Sequence, residues 1–220
     1  MVRSDPPHTQ VRRHHTVTGV VQGVGFRPFV HRIATELGLA GFVGNDSGAV
    51  FLEVQGERAR VDEFRRRLRA EAPPLARITA VSVTDMPVTT KAGILAGFRI
   101  VASQTVTGAT TPIPPDIAVC DDCVAELFDP NDRRYRHPFV TCTNCGPRFT
   151  IIRELPYDRP ATTMSAFAMC DRCAAEYHDP GNRRFHAQPI ACPDCGPSLW
   201  FASPAGRVDG SDAALAATQR

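Results

Sequence analysis

The chain reads as an α+β protein, a ferredoxin-like βαββαβ domain followed by a duplicated zinc-finger domain. Three observations predict this. Over residues 13–102, apolar positions alternate at strand spacing or recur at helical spacing in the order β-α-β-β-α-β. All eight cysteines fall in four Cys-x-x-Cys pairs, beginning at Cys120, Cys142, Cys170 and Cys192. The segment that carries them repeats with a period of 50 residues.

The first twelve residues are polar, with no apolar stretch of a secretory signal, and are expected to form a disordered tail. His15 to Val21, rich in Val and Thr, predicts the first strand. Val30, Ile33, Ala34 and Leu37 fall at i, i+3, i+4, i+7 and predict an amphipathic helix, with Pro28 at its first position and Gly38 as its stop. Gln22 to Arg27 is then a strand-to-helix turn. Gly23 and Gly25 allow backbone conformations that turn N–H groups inward, beside the positive end of a helix and the guanidinium of Arg27. Taken alone, such a loop is either a tight turn or a cradle for a phosphate-sized anion. It is not a Walker A loop, and the third glycine of a dinucleotide fingerprint is missing.

Ala40 to Val43 and Val50 to Val54 predict a hairpin around Asn45-Asp46-Ser47-Gly48. Val61, Phe64 and Leu68 mark a second helix, on which Arg65, Arg66, Arg67 and Arg69 read as a solvated face or, less simply, as a partner site. Pro73-Pro74 ends it, Ile78 to Val83 alternates as a strand, and Gly97 to Val101 predicts a short edge strand. Residues 103–115, rich in Thr and Pro, are expected to be a linker. Residues 116–201 hold the fingers. Residues 202–220 read as a tail with one short helix at Asp212 to Gln219, the expected start of a further domain.

Each copy of the repeat is C-x2-C-x18-C-x2-C, and residues 120–147 match 170–197 at 13 of 28 positions. That spacing suits a four-cysteine zinc site, in which two knuckles each bring two thiolates to one tetrahedral ion. Two structural zinc ions are expected. Cys120, Cys123, Cys142 and Cys145 would hold one, and Cys170, Cys173, Cys192 and Cys195 the other. Pairing the outer knuckles around one ion and the inner knuckles around the other is the alternative. Nearby His137, His178 and His186 read as surface or supporting groups, because the ligand count is already full. Residues 117–201 carry 9 Lys and Arg against 11 Asp and Glu, which argues against nucleic acid as a partner. No apolar run is long enough to span a bilayer, so neither a membrane partner nor an exported location is expected, and the cytoplasm is the default.

Val21-Gln22-Gly23-Val24-Gly25-Phe26-Arg27, with Gly41-Phe42-Val43-Gly44-Asn45, resembles the acylphosphatase signature. Together with the doubled finger and the intervening Leu155-Pro156-Tyr157-Asp158-Arg159-Pro160, the chain resembles the HypF-type carbamoyltransferases of nickel–iron hydrogenase maturation. That resemblance implies hydrolysis of carbamoyl phosphate to carbamate and phosphate. Phosphate would be held by Gln22, Gly23, Val24, Gly25, Phe26 and Arg27, and water oriented by Asn45. It also implies ATP-dependent adenylation in downstream domains and transfer to the C-terminal cysteine of a partner protein. Where the family carries a glycine four residues after the asparagine, this chain has Ala49, with Gly48 one position early. A reading of another class is a catalytically idle scaffold that docks on the same machinery.

Overall fold

A computed structural model describes residues 9–90, 96–104, 112 and 115–219. Strand β1 (Gln10–Val20) starts well before the β-branched run that signals it. The expected tail is therefore corrected: residues 1–8 lie outside the described residues, and Gln10 to Arg12 belong to the strand. Charged residues are tolerated here because they are paired. Arg12 bonds to Glu53, and Arg13 lies 3.0 Å from Asp85 and 2.5 Å from Asp62.

Helix α1 (Phe26–Glu36) follows, then strands β2 (Ala40–Asn45) and β3 (Val50–Glu57). Helix α1 begins two residues earlier than expected, so Pro28 occupies its third position. The first turn has no intrahelical acceptors for its N–H groups, so the missing donor costs nothing there either. Helix α2 (Arg58–Ala70), strand β4 (Arg77–Met86) and strand β5 (Phe98–Ile100) complete the unit. The sheet order is β4-β1-β3-β2-β5, antiparallel except for the β2–β5 pair. The apolar stripes of the two helices, Val30, Ile33 and Ala34 with Val61, Phe64 and Leu68, join Val17, Val43, Leu52 and Val54 in one buried cluster.

This arrangement puts the β1–α1 loop beside the β2–β3 turn. Asn45, the last residue of β2, pairs with Val50, and the carboxylate of Asp46 accepts the N–H groups of Gly48 and Ala49 at 2.7 and 2.6 Å. The aspartate thus closes the turn, and the register at Asn45 is regular despite Ala49. The first linker residues are tied to the sheet, with Gln104 N–H donating to the Asn45 carbonyl at 2.8 Å. Most of the rest of the linker lies outside the described residues.

The fingers are built around two short helices, α3 (Asp121–Phe128) and α4 (Asp171–His178), each starting directly after a cysteine. The stretch expected to be a tail instead contains a hairpin, β6 (Trp200–Ser203) and β7 (Gly206–Asp209), with Arg207 stacked over Trp200 at 4.6 Å. Helix α5 (Ser211–Thr218) lies where the short helix was expected.

Candidate functional site

The glycine loop takes the conformation that its composition permits. Gly23 has φ 71° and Gly25 φ 74°, and Gly25 accepts the first helical hydrogen bond from Phe29 N–H at 3.0 Å. Space forbids a side chain at Gly23 as firmly as φ does, since a Cβ there would lie 2.8 Å from Pro147 and 3.0 Å from Tyr157. Both neighbours belong to the finger half. The loop is therefore packed against a second domain rather than open to water.

Gly23, Gly25, Phe26, Arg27 and Asn45 line one cleft. Gln22 and Val24 do not. The Val24 side chain is in the apolar core, and the Gln22 side chain ties three segments together. Its Nε2 donates to the Asp46 carbonyl at 2.7 Å, and its Oε1 accepts the Tyr157 N–H at 3.3 Å. Asn45 is 1% exposed, and its Oδ1 has no hydrogen-bond partner among the described residues. A buried acceptor facing a polar cleft is a position for a water hydrogen.

The far wall of the cleft comes from the finger half, through Thr143, Tyr157, His186 and Gln188. Arg27 is buried, and its guanidinium donates to Asp158 Oδ1 at 2.7 Å and to Ser103 Oγ at 3.2 Å. Burial, helped by the nearby charge of Arg27, lowers the His186 pKa to about 4, so this histidine is neutral at pH 7. His186 has φ 55°, but so does Arg136 at the equivalent place in the other copy. The conformation belongs to the repeat, not to the cleft. The space left is about 20 Å3, room for one water.

The eight cysteines form two groups of four, Cys120, Cys123, Cys142 and Cys145, and Cys170, Cys173, Cys192 and Cys195, each with its sulfurs within 4.8 Å of one another. The sulfurs pair within a copy, not across copies. The Cys120–Cys142 and Cys142–Cys145 sulfurs are 3.6 and 3.9 Å apart, and the Cys170–Cys192 and Cys192–Cys195 sulfurs 3.8 and 3.7 Å. A tetrahedron with metal–sulfur bonds of ~2.3 Å has edges of ~3.8 Å, so the donor set fits a tetrahedral thiophilic cation. Burial pushes the Cys173 thiol up to about 12, against the pull of Arg133.

The two copies exchange arginines. Arg133 and Arg134 reach from the first copy to the second, where Arg133 donates to Cys173 Sγ at 3.2 Å and Arg134 to the Ala191 carbonyl at 2.9 Å and to Glu176 at 2.5 Å. Arg183 and Arg184 return the contacts, Arg183 to Cys123 Sγ at 2.9 Å and Arg184 to the Thr141 carbonyl at 3.0 Å and to Glu126. Of the two places expected for His137, surface or supporting, the structure excludes the surface: it is 3% exposed, with its pKa lowered to about 4 by burial.

Sequence reasoning assigned no role to Asp158 or to the paired arginines. The arginines left a signal, since Arg-Arg recurs at the same place in both copies. Asp158 left none beyond its place in the quoted Leu155–Pro160 segment. No helix among the described residues is long and apolar enough to cross a membrane.

The acylphosphatase family matches residues 13–100, and the HypF finger matches residues 119–152 and again 169–202. Carbamoyltransferase HypF2 of Cupriavidus necator is 52% identical over 158 residues, which is 71% of this chain and 19% of that protein. An acylphosphatase of Chlorobaculum tepidum is 42% identical over 83 residues, 37% of this chain and 89% of that enzyme. A full-length HypF crystallised in a phosphate- and nucleotide-bound form superposes with a TM-score of 0.82 at 47% identity, over 89% of this chain and 25% of that one. The chain thus spans about a fifth of the length of the curated HypF relatives it matches. By its first domain the chain belongs to the acylphosphatases, and the pair of fingers that follows matches the HypF finger, so that the whole is similar to the corresponding fifth of the HypF carbamoyltransferases.

Proposed function

We propose that this chain hydrolyses carbamoyl phosphate to carbamate and phosphate. In this reading, hydrolysis is the opening step of carbamoyl transfer to the C-terminal cysteine of a partner protein in nickel–iron hydrogenase maturation. The observation that carries the reading is the meeting of Arg27, the glycine loop and the unpartnered Oδ1 of Asn45 on one cleft. Water attacks phosphorus, the bond from phosphorus to the carbamoyl oxygen breaks, and carbamate leaves with the bonding pair. Carbamate is a good leaving group, so the step asks little of an acid. What it asks for is charge neutralisation on the phosphoryl oxygens and an in-line water.

Arg27 supplies the planar donor fork, with the backbone N–H groups of Gln22 to Phe26 around it. Asn45 is an amide and a poor base, so it orients the water through Oδ1 rather than deprotonating it. Each cysteine cluster holds one structural zinc ion. Four thiolates leave no open position on the metal, and the fingers serve the reaction by holding the far wall of the cleft. Their thiols are all unpaired by disulfides, which favours the reducing cytoplasm as the setting. ATP and the acceptor cysteine belong to later steps of the pathway.

A non-catalytic docking module is the second reading, favoured by the pairing of Arg27 with Asp158 in so small a cleft. One assay separates the two. Purified chain incubated with carbamoyl phosphate and no ATP is expected to release inorganic phosphate well above the spontaneous rate. Release at the spontaneous rate would favour the docking module.

A further inference from the structure

The residue that occupies Arg27 is not on the acylphosphatase domain at all. It lies 131 positions away, in the segment between the fingers, and its placement is fixed on both sides. Tyr157 packs on Gly23 and donates its N–H to Gln22. Arg159 is buried and donates to the carbonyls of Gln188, Ile190 and Phe167 at 2.8, 2.9 and 2.7 Å. With both neighbours anchored, the Asp158 carboxylate is aimed at the phosphate-binding guanidinium by the way the two halves dock.

A phosphate group that takes both terminal nitrogens of Arg27 as a planar fork displaces that carboxylate. Phosphate dianion and displaced carboxylate then lie side by side, a repulsive arrangement unless the carboxylate finds a new donor. The substrate itself can provide one. In carbamoyl phosphate the acyl carbon carries an NH2 group, with two N–H donors next to the phosphoryl oxygen. In acetyl phosphate the same position is a methyl group. Two donors on the far wall are already engaged: Gln188 Nε2 donates to the His186 carbonyl at 2.8 Å and Thr143 Oγ to the Arg183 carbonyl at 3.0 Å.

We infer that Asp158 is the specificity residue of the cleft, exchanging Arg27 for the carbamoyl NH2 when substrate binds and so selecting carbamoyl over other acyl phosphates. The inference rests on the proposed hydrolysis and adds to it a residue from the finger half. It also gives the second domain a part in the chemistry, because the carboxylate that would read the acyl end comes from the finger half. A site that hydrogen-bonds a substrate N–H rejects an analogue without it, since the site's own polar group is then stranded. One hydrogen bond to a charged acceptor corresponds to a discrimination of about 10- to 100-fold.

The test compares kcat/KM for carbamoyl and acetyl phosphate in the parent chain, in Asp158→Ala and in Asp158→Asn, with metal content and circular dichroism reporting the fold. The parent is expected to prefer carbamoyl phosphate. Asp158→Ala is expected to lower the carbamoyl-to-acetyl ratio about 10-fold or more, and Asp158→Asn, which keeps a neutral acceptor, to give a ratio between the two. An unchanged ratio overturns the inference even if both rates fall, because that result would mean Asp158 only positions Arg27. A parent without preference overturns it as well. A parent that hydrolyses neither substrate removes the proposed hydrolysis itself, and the inference falls with it.

Discussion

The two halves of this molecule are held together by different physics. In the acylphosphatase half, seventeen buried apolar residues, from Val17 to Ala76, form one continuous cluster between a sheet and two helices. In the finger half each cluster is four residues, three of its four being cysteines in the first copy and two in the second. What replaces an oil-like core there is thiol clusters of metal-site geometry and four arginines that cross between copies. The difference teaches where to look for function. The half with a core of its own carries the glycine loop, and the half without one supplies the wall that closes it.

Metal removal is the largest perturbation that separates the halves. Structural zinc contributes on the order of 10 kcal/mol in small thiolate domains, far more than two such small apolar clusters could replace. Strong chelation is expected to abolish the hydrogen-exchange protection of helices α3 and α4 while the β1–β3 and β1–β4 ladders stay protected. Metal analysis before chelation should give two zinc ions per chain. Loss of the sheet together with the fingers would break the comparison.

Arg134→Ala should come next. Its guanidinium is 2% exposed and bonds across copies to Glu176 and to the Ala191 carbonyl, so truncation strands that carbonyl and leaves Glu176 with Arg133 as its remaining partner. Losing a charge-assisted, buried bond of this kind costs about 2 kcal/mol. The expected outcome is that both metal ions are released in one transition at lower denaturant, measured with a chromogenic chelator. Release of only one ion would mean the fingers are independent units.

The smallest effect belongs to the first half. His15 is fully buried on β1 against Phe64, and burial lowers its pKa from 6.5 to about 4. The unfolded chain then binds more protons than the folded chain between those values, so stability falls as pH falls from 6.5 toward 4. The first unit of that fall, from pH 6.5 to 5.5, should cost about 1 kcal/mol, and His15→Gln should flatten the slope. Denaturation followed through the sheet checks it.

The same contrast explains how much was legible in the sequence. The stripe Val30, Ile33, Ala34 and the stripe Val61, Phe64, Leu68 carry a period, because each helix buries one face in one core. The cysteine spacing carries a distance, because two knuckles must converge on one ion. The polar start of β1 escaped, since Arg12 and Arg13 sit in a central strand only through Glu53, Asp62 and Asp85, partners set by sheet register and helix packing. The hairpin at Trp200–Asp209 escaped because its strands are four residues each and mostly exposed. Asp158 could not be found at all. Its meeting with Arg27 depends on how two domains dock, and no local pattern records that.

The central claim is that Arg27, held between a glycine loop and a wall of the finger half, is the phosphate clamp of an acyl-phosphate hydrolase. Steady-state phosphate release from carbamoyl phosphate by Arg27→Ala, with metal content and circular dichroism matching the parent, tests it most directly. Loss of a preorganised charge clamp predicts a fall of roughly 10²–10³ in kcat/KM. A folded, metal-replete variant that releases phosphate at the parental rate would contradict the account.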